Sequence, residues 1–357
     1  MQIKSVIRIL GLLLMLFSLA IIPPILVSII YQDGETWSFF YALILIFVSG
    51  LLLWLPAMQA KTDLKLRDGF IIVVLFWFVL STFASLPMLL SDSLNISITN
   101  AVFESVSGLT TTGATIINNI DSLPKSILFY RQYLQWLGGL GIIVLAVAVL
   151  PMLGVGGMQL YKAEVAGPIK NKITPRITET AKWLWVVYLI MTFLCGLSYY
   201  FAGMNLFDSI CHSFSTIAIG GFSTHNESFG YYDNHLIELV AIIFMIAACL
   251  NFSLHYLAFK NKSILPYKKD NEAYFFLFLT LFIAFLTVLY IYSLSPEMNI
   301  KEIIKNTFYA VSISTTTGFT NSNYYQYIGF LPILLILFSF IGGCAGSTAG
   351  GMKVIRV

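Results

Sequence analysis

Three short runs of hydroxyl, apolar and glycine residues are the parts of this sequence that could do chemistry: Thr110–Thr115 (TTTGAT), Ala218–Thr224 (AIGGFST) and Thr315–Thr320 (TTTGFT). Aligned on Gly113, Gly221 and Gly318, they place Ser107, Ser215 and Ser312 six residues before the glycine in each copy. None contains a carboxylate, so none adds a charge that would trap a bound ion. A line of peptide carbonyls can instead replace the hydration shell of a bare monovalent cation. Glycine permits the left-handed torsions that aim successive carbonyls the same way, and Thr or Ser adds hydroxyl oxygens without charge. Each motif alone is weak. Three copies in register, 108 and 97 residues apart, are not.

The elements that must position these runs follow from composition. Only 10% of the chain is charged, 58% is hydrophobic and the mean hydropathy is +0.85, whereas soluble domains carry about 25% charged residues. Windows free of Asp, Glu, Lys and Arg recur at spanning length: 9–31, 36–60, 69–91, 132–161, 183–207, 239–259, 273–296 and the second half of 306–352. About 20 apolar residues cross a bilayer as a helix, which predicts an all-α polytopic membrane protein with eight spans. The first window is too long for a signal peptide, and no small-residue cleavage pattern follows it.

Lys4 and Arg8, Lys61, Lys65 and Arg67, Lys162 to Lys182, Lys260 to Lys269, and Lys353 and Arg356 fall on alternate connections, against Lys125, Arg131, Lys301 and Lys305 on the other side. Cytoplasmic loops collect Lys and Arg, so both termini are expected in the cytoplasm.

The hydroxyl-glycine runs lie on the outward connections, after segments too short to cross and return as two spans. Irregular backbone at membrane depth survives only where protein or a water-filled cavity covers it. The reading is therefore a repeat of helix, re-entrant segment, helix. It divides into an N-terminal helix pair (1–68), repeat 1 (69–161, re-entrant segment 100–115), repeat 2 (162–262, segment 206–224) and repeat 3 (263–357, segment 303–321). Within each segment a short helix would point its carbonyl end, which is partially negative, at the cavity beneath.

"SGLTTTGAT", "STIAIGGFSTH", "SISTTTGFTN" and "GGCAGSTAGGMKVIR" together resemble the Trk/Ktr/HKT superfamily of potassium transporters, most closely its TrkH-type branch, over the whole chain. The resemblance implies potassium-channel-like M1-pore-M2 repeats after an N-terminal pair, in the bacterial inner membrane. It implies Thr111, Thr112 and Gly113, Ala218, Ile219, Gly220 and Gly221, and Thr316, Thr317 and Gly318 as the potassium filter. Glycine at each filter position goes with potassium in that family, and serine at the first with sodium. It further implies potassium as substrate without a cofactor, a homodimer, and a cytosolic TrkA-type nucleotide-binding regulatory ring.

The family has four repeats, and this sequence runs only just past the loop of the third, so the chain is expected to be truncated. A proton- or sodium-coupled symporter and a non-conducting fragment are the competing expectations.

The second glycine-rich stretch, Gly342–Gly351 with Lys353, fails the GxxxxGK[ST] phosphate-loop pattern, because Val354 follows Lys353. Counting from an expected helix start at Ile328 puts Gly342 near the bilayer midplane. The family resemblance implies an intramembrane gate there, made of Gly342, Gly343, Gly346, Ser347, Thr348, Gly350, Gly351 and Lys353.

Other residues read more plainly. Glu104 and Asp208 are expected near the starts of their short helices as favourable charges, Arg131 as an anchor at the outer end of its helix, His212 as a packing residue, and His225 as part of a solvated loop able to tune the mouth. His235 and His255 look interfacial. Asn95-Ile-Ser and Asn226-Glu-Ser are chance glycosylation patterns. Cys195, Cys211, Cys249 and Cys344 show no ligand spacing. No Ser/His/Asp set or paired carboxylates offers enzyme chemistry.

Overall fold

The structure, a computed structural model, describes residues 3–60, 66–139, 141, 177–294, 298–322 and 329–357. Every regular element among them is helical. Five helical stretches are long and apolar enough to cross a membrane: Ile3–Tyr31, Thr36–Ala57, Ile71–Leu89, Lys182–Ala202 and Asn271–Leu294. Their outer faces carry Phe78, Phe193, Phe201 and Phe285, all at least 61% exposed. That is intolerable in water but suits lipid. The chain is a polytopic membrane protein.

Two of the eight expected spans differ. The window 239–259 is not one helix: His235–Ala248 and Phe252–Asn261 meet at a 95° bend. Asn251 causes the break, because its side chain accepts the Ser253 N–H and caps a new helix. The last helix, Leu331–Ser339, has only nine residues, about 14 Å at 1.5 Å per residue, and cannot span a core about 30 Å thick. The window 132–161 is described only through the Lys125–Gly139 helix and Gly141; the rest, with the expected helix start at Ile328 and the basic residues Lys61, Lys65, Lys162, Lys170, Lys172 and Arg176, lies outside the described residues.

The N-terminal pair packs by close approach of small residues. A Cβ on Gly11 would lie 2.6 Å from the Gly50 carbonyl oxygen, and one on Gly50 2.7 Å from that of Gly11. The first apolar run breaks at residues 20 and 21, with Pro23 and Pro24 in the first turn of the helix that follows, where a missing N–H costs nothing. At the connection of residues 32–35 the buried Glu35 carboxylate accepts from Ser91 Oγ (2.8 Å) and Ser93 Oγ (2.5 Å), tying the pair to the first repeat.

Three short helices, Ile98–Leu109, Leu206–Ala218 and Ile300–Ser314, lead into the hydroxyl-glycine runs. Each starts at a polar cap: Ser97 accepts from Asn100 N, Asn205 from Asp208 N, and Asn299 from Glu302 N.

Candidate functional site

At the end of each short helix the backbone makes the same turn. Thr111, Ile219 and Thr316 are left-handed (φ 54°, 56° and 65°), and two residues on Gly113, Gly221 and Gly318 have φ of 77°, 80° and 85°. The serines six residues before the glycines, matched on spacing alone, have matching roles. Their carbonyls accept from Thr112 N (2.9 Å), Gly220 N (2.8 Å) and Thr317 N (2.9 Å).

The three turns sit shoulder to shoulder in chain order. A Cβ on Gly113 would lie 2.1 Å from the Gly220 carbonyl oxygen, and one on Gly221 would lie 2.2 Å from that of Thr317. At Gly318 nothing lies within 4 Å. The sequence-predicted filter residues are thus brought together as an arc, with the second segment in the middle.

The residues that hold this arc are mostly ones that spacing did not single out. Arg131 is not an anchor at the outer end of its helix. It is fully buried, donates from Nε to Glu104 Oε1 (2.7 Å), from Nη2 to Thr115 Oγ1 (3.1 Å) and from Nη1 to the Ser223 carbonyl (3.3 Å), and lies 4.3 Å from the Phe222 ring centroid. Glu104 is likewise not a charge at a helix start. It sits in the middle of its helix at 0% exposure and also accepts from Thr115 Oγ1 and Ile116 N. From the same helix as Arg131, Gln132 Nε2 donates to the Phe222 carbonyl (3.1 Å). Gln135 Nε2 donates to the Gly220 carbonyl (2.6 Å), while its Oε1 accepts from Phe222 N (3.1 Å). The available signal was a cation and two amides within five residues of a spanning window, where polar groups are expensive and so mark function.

The third segment is tied differently. Ser312 Oγ donates to the Phe319 carbonyl (2.7 Å), Thr315 Oγ1 shares a hydrogen with Thr317 Oγ1 (2.7 Å), and Asn321 Nδ2 donates to Glu238 Oε1 (2.6 Å).

At the mouth, His225 lies between Asp121 (Nδ1 to Oδ1, 2.7 Å) and Asp208 (Nε2 to Oδ2, 3.1 Å), face to face with Tyr231 at 3.5 Å between centroids. It is a half-buried bridge rather than a freely solvated loop residue. Burial pulls its pKa down, but the hydrogen bonds to Asp208 and Asp121 outweigh that and raise it above 6.5. Asp208 does occupy the first helical turn, as expected, and also accepts from Thr224 Oγ1 (2.8 Å). His212 packs as expected, its ring bonded to the Asp208 carbonyl and Ser223 Oγ.

The glycine-rich loop docks under the second and third segments. Thr348 Oγ1 lies within hydrogen-bonding distance of the Ile217 (2.8 Å) and Ala248 (3.2 Å) carbonyls, and Gly350 N donates to Thr316 Oγ1 (2.9 Å). Its other side rests on the break in the 235–261 helix pair: Cys344 N donates to the Cys249 carbonyl (2.9 Å), and Phe252 N to the Gly346 carbonyl (3.0 Å). Glu272 Oε1 accepts from Ala345 N (2.7 Å). Gly342 and Gly351 pack so closely that a Cβ on Gly351 would lie 2.6 Å from the Gly342 Cα. Ser347 Oγ donates to the Cys344 carbonyl (2.6 Å), and Lys353 Nζ donates to the Ala349 carbonyl. The loop Gly342–Gly351 is therefore closed on itself. Asn251 and Glu272, which support it, were not picked out from the sequence. The polar signal was there: Asn251 is an amide inside a charge-free window, and Glu272 opens the next one.

All four cysteines are buried and free. Among the described residues no group of three His, Cys, Asp or Glu side chains could hold a metal ion.

Comparison with known proteins agrees with this architecture. The family model for TrkH, described as a cation transport protein, matches residues 36–357. The Trk system potassium uptake protein TrkH of Vibrio parahaemolyticus is 53% identical over 363 aligned positions, covering 100% of this chain and 74% of that relative. Its Escherichia coli (strain K12) namesake is 50% identical with the same coverage, and the Trk system potassium uptake protein TrkG of that organism is 41% identical. The crystal structure of the potassium transporter TrkH from Vibrio parahaemolyticus superposes with a TM-score of 0.87 at 49% identity, over 100% of this chain and 74% of that one. The chain belongs to the TrkH family of cation transport proteins.

Proposed function

We propose that this protein takes up potassium across the bacterial inner membrane. The ion passes along a path lined by the backbone carbonyls of Thr111–Gly113, Ala218–Gly221 and Thr316–Gly318. One observation carries the reading. Three backbone turns of the same shape abut in sequence order, Gly113 on Gly220 and Gly221 on Thr317, so their carbonyls converge on one region. A potassium ion stripped of water is stabilised there by neutral oxygens at close quarters, and it can leave again because no carboxylate binds it. Entry needs no chemical step. The membrane potential supplies about 2.3 kcal/mol per elementary charge per 100 mV, and it drives a cation inward.

The loop Gly342–Gly351 is the gate in this reading. Its contacts to Ile217 and Thr316 are hydroxyl and amide hydrogen bonds, each worth about 1 kcal/mol net, few enough to break and remake. Cytoplasmic termini, the repeat boundaries at 68/69, 161/162 and 262/263, a homodimeric assembly and a cytosolic TrkA-type nucleotide-binding ring belong to the same proposal. The ring would act on the gate from the face where Lys353 lies.

The test is flux from the purified chain in potassium-loaded proteoliposomes. A saturable potassium current set by voltage alone supports the pathway. Strict coupling of potassium entry to a proton or sodium gradient makes the protein a symporter, and flux equal to that of protein-free vesicles makes this chain a non-conducting fragment.

A further inference from the structure

The second hydroxyl-glycine run departs from the other two in one respect that the fold explains. In the first and third, a pair of threonines braces the turn: Thr110 Oγ1 with Thr112 Oγ1 (2.8 Å), and Thr315 Oγ1 with Thr317 Oγ1 (2.7 Å). The second has Ala218 and Gly220 at those positions, so it has no hydroxyl pair, yet its left-handed torsions are the same.

Gln135 replaces the missing pair. Its single planar carboxamide bonds the peptide on each side of Gly221: Nε2 donates to the Gly220 carbonyl, and Oε1 accepts the Phe222 N–H. Glycine at 220 is what makes room, because a Cβ there would lie 2.4 to 2.8 Å from the three outer atoms of that carboxamide. Gln135 is itself fully buried, and Arg131 and Gln132, from the same helix, hold the Ser223 and Phe222 carbonyls.

We propose that Gln135 is the positioning residue for ion discrimination at the second segment. Its carboxamide fixes the direction of the Gly220 carbonyl and the torsions of Gly221, and Gly220 is glycine so that it can reach. This rests on the potassium-pathway reading above. Losing the clamp frees a carbonyl whose exact direction separates a potassium-sized site from a sodium-sized one. The number of oxygens in the path does not change.

The experiment compares initial potassium, rubidium and sodium uptake by wild-type proteoliposomes with three variants of the full chain, normalised to incorporated protein. Gln135→Met keeps length and volume but neither bonds. Gly220→Ala pushes the carboxamide away from the opposite side, and so serves where Gln135→Met fails to assemble. Ala218→Thr and Gly220→Thr with Gln135→Ala rebuild the threonine pair of the other segments.

The first two are expected to lower the potassium-to-sodium ratio about ten-fold, the factor that 1.4 kcal/mol corresponds to, with a smaller change in potassium rate. The triple variant is expected to recover part of the ratio. Unchanged ratios, or uptake of all three ions slowed alike, overturn the proposal. A wild type with no preference for potassium overturns the pathway reading as well, whereas a selective wild type whose variants stay equally selective overturns only this one.

Discussion

The second and third hydroxyl-glycine segments share a backbone path and differ in what holds it. The second is clamped from behind by another repeat: Arg131, Gln132 and Gln135, all from the Lys125–Gly139 helix, bond the carbonyls of residues 220, 222 and 223. The third relies on its own short helix, through Ser312 and Thr315. Among the described residues, outside side chains reach it at its two ends, Ser228 Oγ accepting from Thr320 N (3.3 Å) and Cys249 Sγ lying 3.8 Å from the Thr315 carbonyl, and none bonds the backbone of residues 316–319 between them. Where side chains fix the backbone from outside, the local sequence is free to be Ala-Ile-Gly-Gly. Where they do not, it must carry its own hydroxyls. One geometry therefore has two sequence solutions.

The widest test of that contrast removes each support. Arg131→Met leaves the Glu104 carboxylate buried and uncompensated, a loss of about 3–5 kcal/mol. Glu238→Leu in the third segment's counterpart takes away only the acceptor of one amide bond, a loss of about 1–3 kcal/mol. Thermal unfolding of the purified protein in detergent should drop much further for Arg131→Met, and adding Glu104→Met should restore most of the loss. Equal drops would mean that the two segments are held alike.

Next in size is a pair of glycine substitutions. Gly221→Ala meets the Thr317 carbonyl at 2.2 Å and must also adopt φ near 80°. Overpacking at about 1–3 kcal/mol adds to a left-handed penalty of about 1–2 kcal/mol, so potassium uptake should fall by roughly two orders of magnitude. Gly318→Ala has nothing within 4 Å and carries the torsional penalty alone, so uptake should fall by about five- to thirty-fold. Rubidium tracer uptake in a potassium-uptake-deficient bacterium measures both. A Gly318→Ala variant as inactive as Gly221→Ala would show that the third segment is packed as tightly as the second.

Much of this was legible in the sequence, for physical reasons. Apolar windows reveal spans because lipid admits little else. The serine register was readable because each turn needs the same carbonyl at the same distance from its glycine. The supports of the three turns were not readable. Arg131, Gln132 and Gln135 act across more than 80 residues of chain, and nothing local marks which backbone they meet. The break at Asn251 was hidden for the opposite reason, since a lone amide in a window of high hydropathy leaves the average unchanged. A capping side chain outweighs its few neighbours locally, and the 95° bend it starts sets the floor for the glycine-rich loop.

That loop touches both segments, and the contrast sharpens there. Thr348→Val removes the hydroxyl near the Ile217 and Ala248 carbonyls, and Thr316→Val removes the acceptor of Gly350 N. Each loses about 1 kcal/mol of hold on the closed loop, so potassium uptake should rise by up to about five-fold. The double variant should exceed either single one, because the contacts lie on different segments. Slower uptake in both would show that the loop is structural and does not obstruct the path.

The smallest effect expected is a pH dependence confined to the second segment's mouth. His225 faces Asp208 and Asp121, with Tyr231 stacked on it, Tyr232 edge-on and His212 on the adjoining helix. Its pKa is raised in the folded protein, so the stability it adds is fully present below its unfolded value of 6.5 and is lost as pH rises through the raised one. For Asp121 the sign reverses. Burial alone would raise its pKa, but the bonds from His225 and Asn226 lower it below 3.8, so its contribution is present above 3.8 and is lost as pH falls through the lowered value. The wild-type advantage over His225→Gln in thermal unfolding should therefore be greatest between about pH 4 and 6.5, and should fade on the alkaline side first. The third segment's mouth is joined to its neighbour by Asn321 and Glu238, and among the described residues no histidine bonds either. His235, one helical turn before Glu238, adds only a minor charge interaction, so Asn321→Ala should lower stability by a more nearly equal amount at pH 6 and pH 8. A difference curve for His225→Gln that stays flat across that interval would mean that the two mouths are built alike.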